Sequence, residues 1–316
     1  MKLKYKKINI YALLICVILI ISCNNDPVEM KTPNGIFISP TEKTISEPFD
    51  ILFLDYPSKK DIAVSLYDET KINVNVSIDQ NNDLVEVYNE SNNTSYQSLP
   101  IENVTFSSKD FIIEAGTKVS NSVSLTISTT NLDQETIYLL PLEITNVSDP
   151  NIPLDKSMNR KYYVVQGGPP PNIAIGKPTM QSSTLSGAIS SRAVDGNTSG
   201  FWSNGSVSHT GNAGEEWWEV DLEKVSPFIQ EVILYNRQDC CSERLVDFYV
   251  FVSDVPFESN SVANILNQEG VYSYFHAGVA GYQTTIPVTR TGRYVRVQLT
   301  GNTYLGLAEV EVMGIE

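Results

Sequence analysis

The chain has 316 residues, enough for two domains of ordinary size, and a formal net charge of −15. So acidic a chain repels phosphate backbones, and no basic run follows the first few residues, which argues against nucleic acid as a partner. Tyr, Thr, Val and Ile are abundant, which is strand chemistry, and the expectation is an all-β protein.

The N-terminus opens with MKLKYKK, a basic segment, followed by the apolar run INIYALLICVILIIS (8–22). That run is too short for a comfortable membrane span and reads as a signal peptide over 1–22. It ends Ile20-Ile21-Ser22-Cys23, which resembles a bacterial lipobox. The resemblance implies that Cys23 is lipidated and becomes the first mature residue, while Cys16 leaves with the leader. The alternative is an uncleaved anchor helix. Either way the protein is expected at a membrane surface beyond the cytoplasm, and the lipobox implies a lipid-anchored protein of the outer membrane or cell surface. Without residues 1–22 the chain carries 18 basic against 37 acidic residues, a net −19. Residues 23–35 are polar and broken by Pro and Gly, and read as a tether.

From 36 to 166 short alternating segments recur: KINVNVSID (71–79), VSLTIS (123–128), IYLLPLEI (137–144) and YYVV (162–165), with a turn signal at EAGTK (114–118). No segment sustains a helical period, so the expected fold is an antiparallel, immunoglobulin-like β-sandwich. LVEVYNESNNTSYQSLP, FIIEAGTKVSNSVSLTIS and IYLLPLEIT together resemble the N-terminal domain of unknown function found on Bacteroidetes surface lipoproteins. The region clusters no His, Cys or paired acids, and its expected role is to hold the next domain away from the membrane. GGPPPN (167–172) reads as the linker: Gly-Gly allows bending and the prolines stiffen the exit.

Residues 173–316 again alternate, in WWEVDL (217–222), EVILYN (231–236), DFYVFVS (247–253), YVRVQL (294–299) and EVEVMG (309–314). This predicts a second all-β unit, a jelly roll or sandwich with its connecting loops gathered at one end, where function is expected.

One such loop holds NRQDCCSERL (236–245), with adjacent cysteines between two arginines. Neighbouring Cα atoms lie about 3.8 Å apart, whereas disulfides prefer roughly 5.5 Å, so a Cys240–Cys241 bridge closes a small strained ring of the kind that persists at functional sites. An oxidising compartment makes the bridge feasible. A metal pair lacks further Cys partners after processing, and redox pairs usually have two residues between the sulfurs. Asp239 stands where its carboxylate can brace Arg237 or Arg244 bidentately. His209, one of only two histidines, lies in another loop, SNGSVSHTGN.

Together these residues resemble the F-type, fucose-binding lectin family. Its pattern of His, then Arg-x-Asp, then a second basic residue around adjacent cysteines is met by His209, Arg237, Asp239, Cys240, Cys241 and Arg244. The 27 residues between His209 and Arg237 depart from the family spacing by one, an offset the loop GNAGEE (211–216) can absorb. NIAIGKPTMQSST, AVDGNTSGFWSNGS, WWEVDL and LAEVEVMG extend the likeness over all of 172–316. The resemblance implies a galactose-binding-like jelly roll that binds L-fucose. His209, Arg237 and Arg244 would be three cationic donors converging on the sugar hydroxyls, Asp239 the brace, and the Cys240–Cys241 disulfide an apolar platform under the pyranose ring. Trp202 is expected against the sugar's methyl or an adjoining residue, or half-buried in the core; Trp217 and Trp218 receive no ligand role, and at least one is expected in the core.

The same resemblance implies a structural Ca2+ held by Asp195, Asn197, Ser206 and Glu309, with Arg192 at a backbone-carbonyl position. Hard oxygens suit that ion, which would pin the loops carrying His209. Many family members also join the loop before His to the last strand by a disulfide. Val207 and Ala308 stand at those positions, so apolar residues are expected to fill the space.

The resulting expectation is a non-catalytic surface lipoprotein that binds fucosylated glycans. The alternatives are a general adhesion or glycan-binding module of the same fold, and, remotely, a glycosidase, which needs two suitably spaced carboxylates that the His–Arg cluster lacks.

Overall fold

The computed structural model describes residues 35–39, 45–154, 159–212 and 214–316. The leader, the tether, Cys16 and Cys23 lie outside the described residues. Among those described, no helix is long and apolar enough to cross a membrane.

The first unit comprises β1 (Ile36–Ser39), β2 (Ser46–Leu52), β3 (Ser58–Leu66), β4 (Val74–Gln80), helix α1 (Leu84–Asn92), β5 (Gln97–Ser98), β6 (Val104–Phe106), β7 (Asp110–Ile113), β8 (Val123–Ile127), β9 (Tyr138–Val147) and β10 (Arg160–Gly168). One sheet has the order β1-β3-β8-β6 and the other β2-β10-β9-β4-β7, with β5 beside β9. Alternation puts one face of each sheet inside. Ile62, Val64 and Leu125 from the first meet Val76, Leu140 and Tyr163 from the second in one core. The sandwich is as expected, with two departures. β2 pairs with β10 in parallel, and so does β5 with β9. LVEVYNESN forms a helix that the sequence reading left out. It buries only Leu84 and Val85 and stops at left-handed Asn93 (φ 53°), too short a stretch to display a helical period.

The second unit comprises β11 (Thr179–Gln181), β12 (Ser208–His209), β13 (Trp217–Asn236), β14 (Val246–Ser253), a short helix α2 (Val262–Ile265), β15 (Tyr272–Val279), β16 (Gln283–Leu299) and β17 (Gly306–Gly314). The sheet runs β12-β17-β13-β16-β14-β15, with β11 on β13. β13 is 20 residues long and bends at register shifts between Asp221 and Glu231. Its first arm pairs with β11 and the end of β16, its second with the start of β16 and with β17. Trp218 and Val220 from one arm and Val232 and Leu234 from the other enter the same core, so this single bent sheet closes into the β-jelly-roll. The bend puts both ends of β13 at one pole. There Asn236 sits opposite Leu307, His209 sits opposite Gly306, and Trp217 sits opposite Gln298.

The first unit meets the other pole. Tyr56 packs on Phe228 with ring centroids 5.3 Å apart, and the Asp55 N–H donates to Gln230 Oε1 at 3.3 Å. The expected linker 167–172 is shorter than its sequence suggests. Gly167 and Gly168 are the last residues of β10, paired with Ile51 and Leu52, and Asn172 already accepts from the N–H groups of Ala174 and Val312. Three prolines remain as the connection. Gly167 therefore serves close packing, not bending: a Cβ there would lie 2.0 Å from the Phe53 ring. Gly167→Ala is expected to destabilise the chain by about 1–3 kcal/mol, the usual range for overpacking. Thermal unfolding would register this as a lowered Tm, with ligand binding at the far pole unchanged.

Candidate functional site

The pole formed by the two ends of β13 gathers the residues singled out in the sequence. Asn236, the last residue of β13, is 1% exposed and organises the loop that follows. Its Nδ2 donates to the Ser242 carbonyl at 2.9 Å, and its Oδ1 accepts from the Arg237 N–H at 2.7 Å. This role was not foreseen; an Asn ending an alternating strand is its only sequence signal. Cys241 then adopts the left-handed region (φ 61°) and starts the short turn Ser242–Arg244.

Arg237 turns back onto Asp239, with Nε donating to Oδ1 at 2.6 Å and Nη2 to Oδ2 at 3.4 Å. The bonded guanidinium holds the Asp239 carboxyl below its usual range. Asp239 Oδ2 also accepts from the Trp202 N–H at 3.1 Å, tying one loop to the other, and the Arg237 guanidinium lies 4.8 Å from the Trp202 ring centroid. Trp202 is half-buried in the short turn Trp202–Asn204 and meets the His209 ring edge-on at 5.7 Å. It is a site residue, whereas Trp218 is fully buried in the core.

His209 sits on edge strand β12 and is 2% exposed. Its Nδ1 lies 2.6 Å from the Thr210 carbonyl oxygen. A carbonyl only accepts, so Nδ1 carries the proton and Nε2 is left as the variable atom. Burial depresses the imidazole pKa, and the nearby Arg237 and Arg244 charges add to the effect. The shift disfavours the cationic imidazole expected from the sequence, and Arg237 and Arg244 are the guanidiniums nearest to it.

Two neighbours that the sequence reading missed complete the site. Tyr304, in the loop between β16 and β17, lies 5.8 Å from the His209 ring and carries the Arg244 guanidinium at 5.2 Å from its centroid. Buried Glu216 accepts from the Ser182 and Ser183 hydroxyls at 2.7 and 2.5 Å, and Ser183 Oγ accepts from the Gly211 N–H at 2.9 Å. This fastens the loop after β11 beside His209. An isolated Tyr in a Gly/Asn/Thr loop and one Glu in an acidic chain carry no periodic or motif signal.

The expected Cys240–Cys241 bridge is not formed in the structure; both are free cysteines. Neighbouring Cα atoms are about 3.8 Å apart, well inside ordinary disulfide spacing, so a bridge here would close a strained ring. The hydrogen bond with Cys241 is the largest factor raising the Cys240 pKa.

Asp195, Asn197 and Glu309 also come together. Glu309 is fully buried on β17, and its Oε1 accepts from the Gly196 N–H at 2.9 Å. Asp195 Oδ1 accepts from the Asn197 N–H at 2.9 Å, and Asn197 Oδ1 from the Ser199 N–H at 3.2 Å. Ser206 Oγ donates to the Ser199 carbonyl, which links it to the same turn. Arg192 Nη1 donates to the Val207 carbonyl at 3.3 Å. Glu309 Oε2 is buried without a partner, and burial, with the Asp195 charge adding, pushes this carboxyl up to about 7. A buried, unmet carboxylate oxygen among hard oxygens fits a divalent cation. At the former disulfide positions, Val207 and Ala308 are both fully buried.

The fold defines the second unit as a galactose-binding-like jelly roll. Comparison with known proteins agrees. Residues 192–297 match the family model of a NedA-like, galactose-binding domain, and residues 32–151 match a family model for an N-terminal domain. Fucolectin-5 of Anguilla japonica is 36% identical over 149 residues, 45% of this chain and 75% of that protein. Fucolectin-1 of the same eel is 35% identical over 152 residues, 45% of this chain and 79% of that protein. Among solved structures, a Streptococcus pneumoniae fucose binding module is 36% identical, covering 46% of this chain and 96% of that one, with a TM-score of 0.40. Through its second unit the chain belongs to the fucolectin, or F-type lectin, family.

The loop with Trp202 meets the loop with Arg237 at Gly200, where a Cβ would lie 2.6 Å from the Asn236 carbonyl oxygen and 2.8 Å from the Gln238 nitrogen. Both are backbone atoms, so relief requires the loops to part. Gly200→Ala is expected to displace Trp202 from Arg237 and to destabilise the domain by about 1–3 kcal/mol. Quenching of Trp202 fluorescence by added iodide should rise in the variant.

Proposed function

We propose that the chain is a lipid-anchored surface lectin whose second unit binds fucosylated glycans without catalysis. The observation that carries this reading is the meeting of Arg237, His209 and Arg244 between the rings of Trp202 and Tyr304. Guanidinium N–H groups donate to sugar oxygens and neutral Nε2 accepts from a hydroxyl, which suits a polyol whose hydroxyls both donate and accept. The aromatic walls and the sulfurs of Cys240 and Cys241 offer apolar surface to the C–H face and methyl group of a deoxy sugar. The fucose named for the family members and for the pneumococcal module supports this ligand. Asp239 is committed to Arg237, so the pair of free carboxylates that glycoside hydrolysis requires is not assembled around these groups.

The finer parts of the reading follow the chemistry of each group. In an oxidising compartment the adjacent thiols of Cys240 and Cys241 close into a disulfide, a flat apolar platform. Asp195, Asn197, Ser206 and Glu309, with the Arg192 carbonyl, would hold Ca2+, which supplies the positive charge that buried Glu309 lacks and stiffens the 195–206 loop beside Trp202. Cys23 would carry the lipid, at the outer membrane or cell surface. The first unit, docked at the pole away from the site, acts as the spacer.

Titrating residues 24–316 with L-fucose by calorimetry, with D-galactose as control, tests the reading. Binding should be fucose-selective and weak, in the high-micromolar to millimolar range expected for one small ligand. Arg237→Ala should reduce it at least about tenfold, as loss of a charge-assisted pair of donors does. Equal binding of both sugars would overturn fucose selectivity.

Calcium is tested separately by thermal unfolding. Added Ca2+ should raise the Tm of the wild type and leave that of Glu309→Gln unchanged, by the linkage between ligand binding and stability. An equal shift in both would place the ion elsewhere.

A further inference from the structure

Resting on the sugar-site reading above, we infer that Tyr304 is the positioning residue of Arg244 and leaves this arginine as the main donor arm of the site. The two arginines are held in different ways. Arg237 is fixed by a two-point contact with Asp239 and by the Trp202 ring. Its Nε and Nη2 are thereby already spent. Among the described residues, Arg244 makes no side-chain hydrogen bond or ion pair; its recorded side-chain contact is the face of Tyr304, at 5.2 Å from guanidinium carbon to ring centroid.

A contact through a ring face orients a guanidinium without using any of its N–H groups. Arg244 therefore keeps all five donors for a ligand, whereas Arg237 offers the remainder of a shared set. An arginine with no such support would spread over many rotamers and would have to be ordered by the ligand itself. Its charge also lacks a carboxylate partner, so the donors of Arg244 are the less neutralised of the two sets.

Tyr304 is itself well held. The Thr210 N–H donates to the Leu305 carbonyl at 2.9 Å, the Leu305 N–H donates to Thr210 Oγ1 at 2.9 Å, and Thr303 bridges Gly214. The ring thus takes its place from the strand that carries His209, which it meets at 5.8 Å and an interplanar angle of 35°. One aromatic side chain sets Arg244 relative to His209, much as Asp239 sets Arg237 relative to Trp202.

The test compares Tyr304→Phe, which keeps the ring, with Tyr304→Leu, which keeps only bulk, in the calcium-loaded residues 24–316. In the protein without sugar, the Arg244 side-chain proton resonances should be shifted upfield by the ring current. The shift should survive in Tyr304→Phe and vanish in Tyr304→Leu. L-Fucose affinity should stay within about twofold in Tyr304→Phe and fall roughly fivefold in Tyr304→Leu, the range of one cation–π contact. Unchanged Arg244 resonances in Tyr304→Leu would overturn the proposal, even if affinity fell, because the ring would then be touching the sugar directly. A wild type that shows the ring-current shift but no fucose binding would sustain the positioning role while removing the sugar-site reading.

Discussion

The second unit depends on the bend in β13. Twenty residues of one strand supply both layers of the jelly roll, and the register shifts between Asp221 and Glu231 reverse its course. Bulges of this kind increase local twist and let a sheet close on itself. Because Trp218, Val220, Val232 and Leu234 all enter one core, the bend is stabilised by burial of both arms. On the order of 2 kcal/mol per large apolar side chain is at stake. Its geometric consequence is that the strand's beginning and end share a pole. The loop before Trp217 brings His209 and the loop after Asn236 brings Arg237 and Arg244, so residues far apart in sequence meet without a long excursion of backbone.

At that pole the energetic problem is charge. Burial disfavours protonation of the His209 imidazole, and the two guanidiniums beside it act in the same direction. The shift favours the neutral His209 ring, whose Nδ1 faces the Thr210 carbonyl. Asp239 relieves one arginine and, by also accepting the Trp202 N–H, converts that relief into loop alignment. A comparable pair lies on the outer face of the same sheet. There Arg296 meets Glu219 at 2.7 Å and is flanked by the Trp217 and Phe257 rings at 4.3 and 4.7 Å. That cation has no role at the pole, yet it shares the combination of carboxylate and aromatic faces. In both places the chain houses arginine by giving its charge a partner and its flat faces an apolar wall.

The all-β class was legible because alternation reports which face of a strand is buried. The His209–Arg237–Asp239–Arg244 group was legible because rare residue types stood at a spacing resembling that of the F-type lectins. Other features left no such trace. Helix α1 spans nine residues and buries two of them, too little to reveal a period. Gly167 looked like a hinge because Gly-Gly is compatible with bending. Its actual constraint, the Phe53 ring, comes from a residue more than a hundred positions away and cannot be read locally. Tyr304 and Glu216 likewise act through partners brought near by the fold. The lowered pKa of His209 was not legible because a pKa depends on burial, which residue type does not encode.

Short connection and docking together bear on how the site is presented. Beyond β10 only Pro169–Pro171 separate the strand from Asn172, which is already bonded into the second unit. Prolines hold an extended course, and Tyr56 against Phe228 closes the joint from the side. The first unit meets the second at the pole opposite His209, Arg237 and Arg244. The loops that carry the site are thereby left clear of the joint.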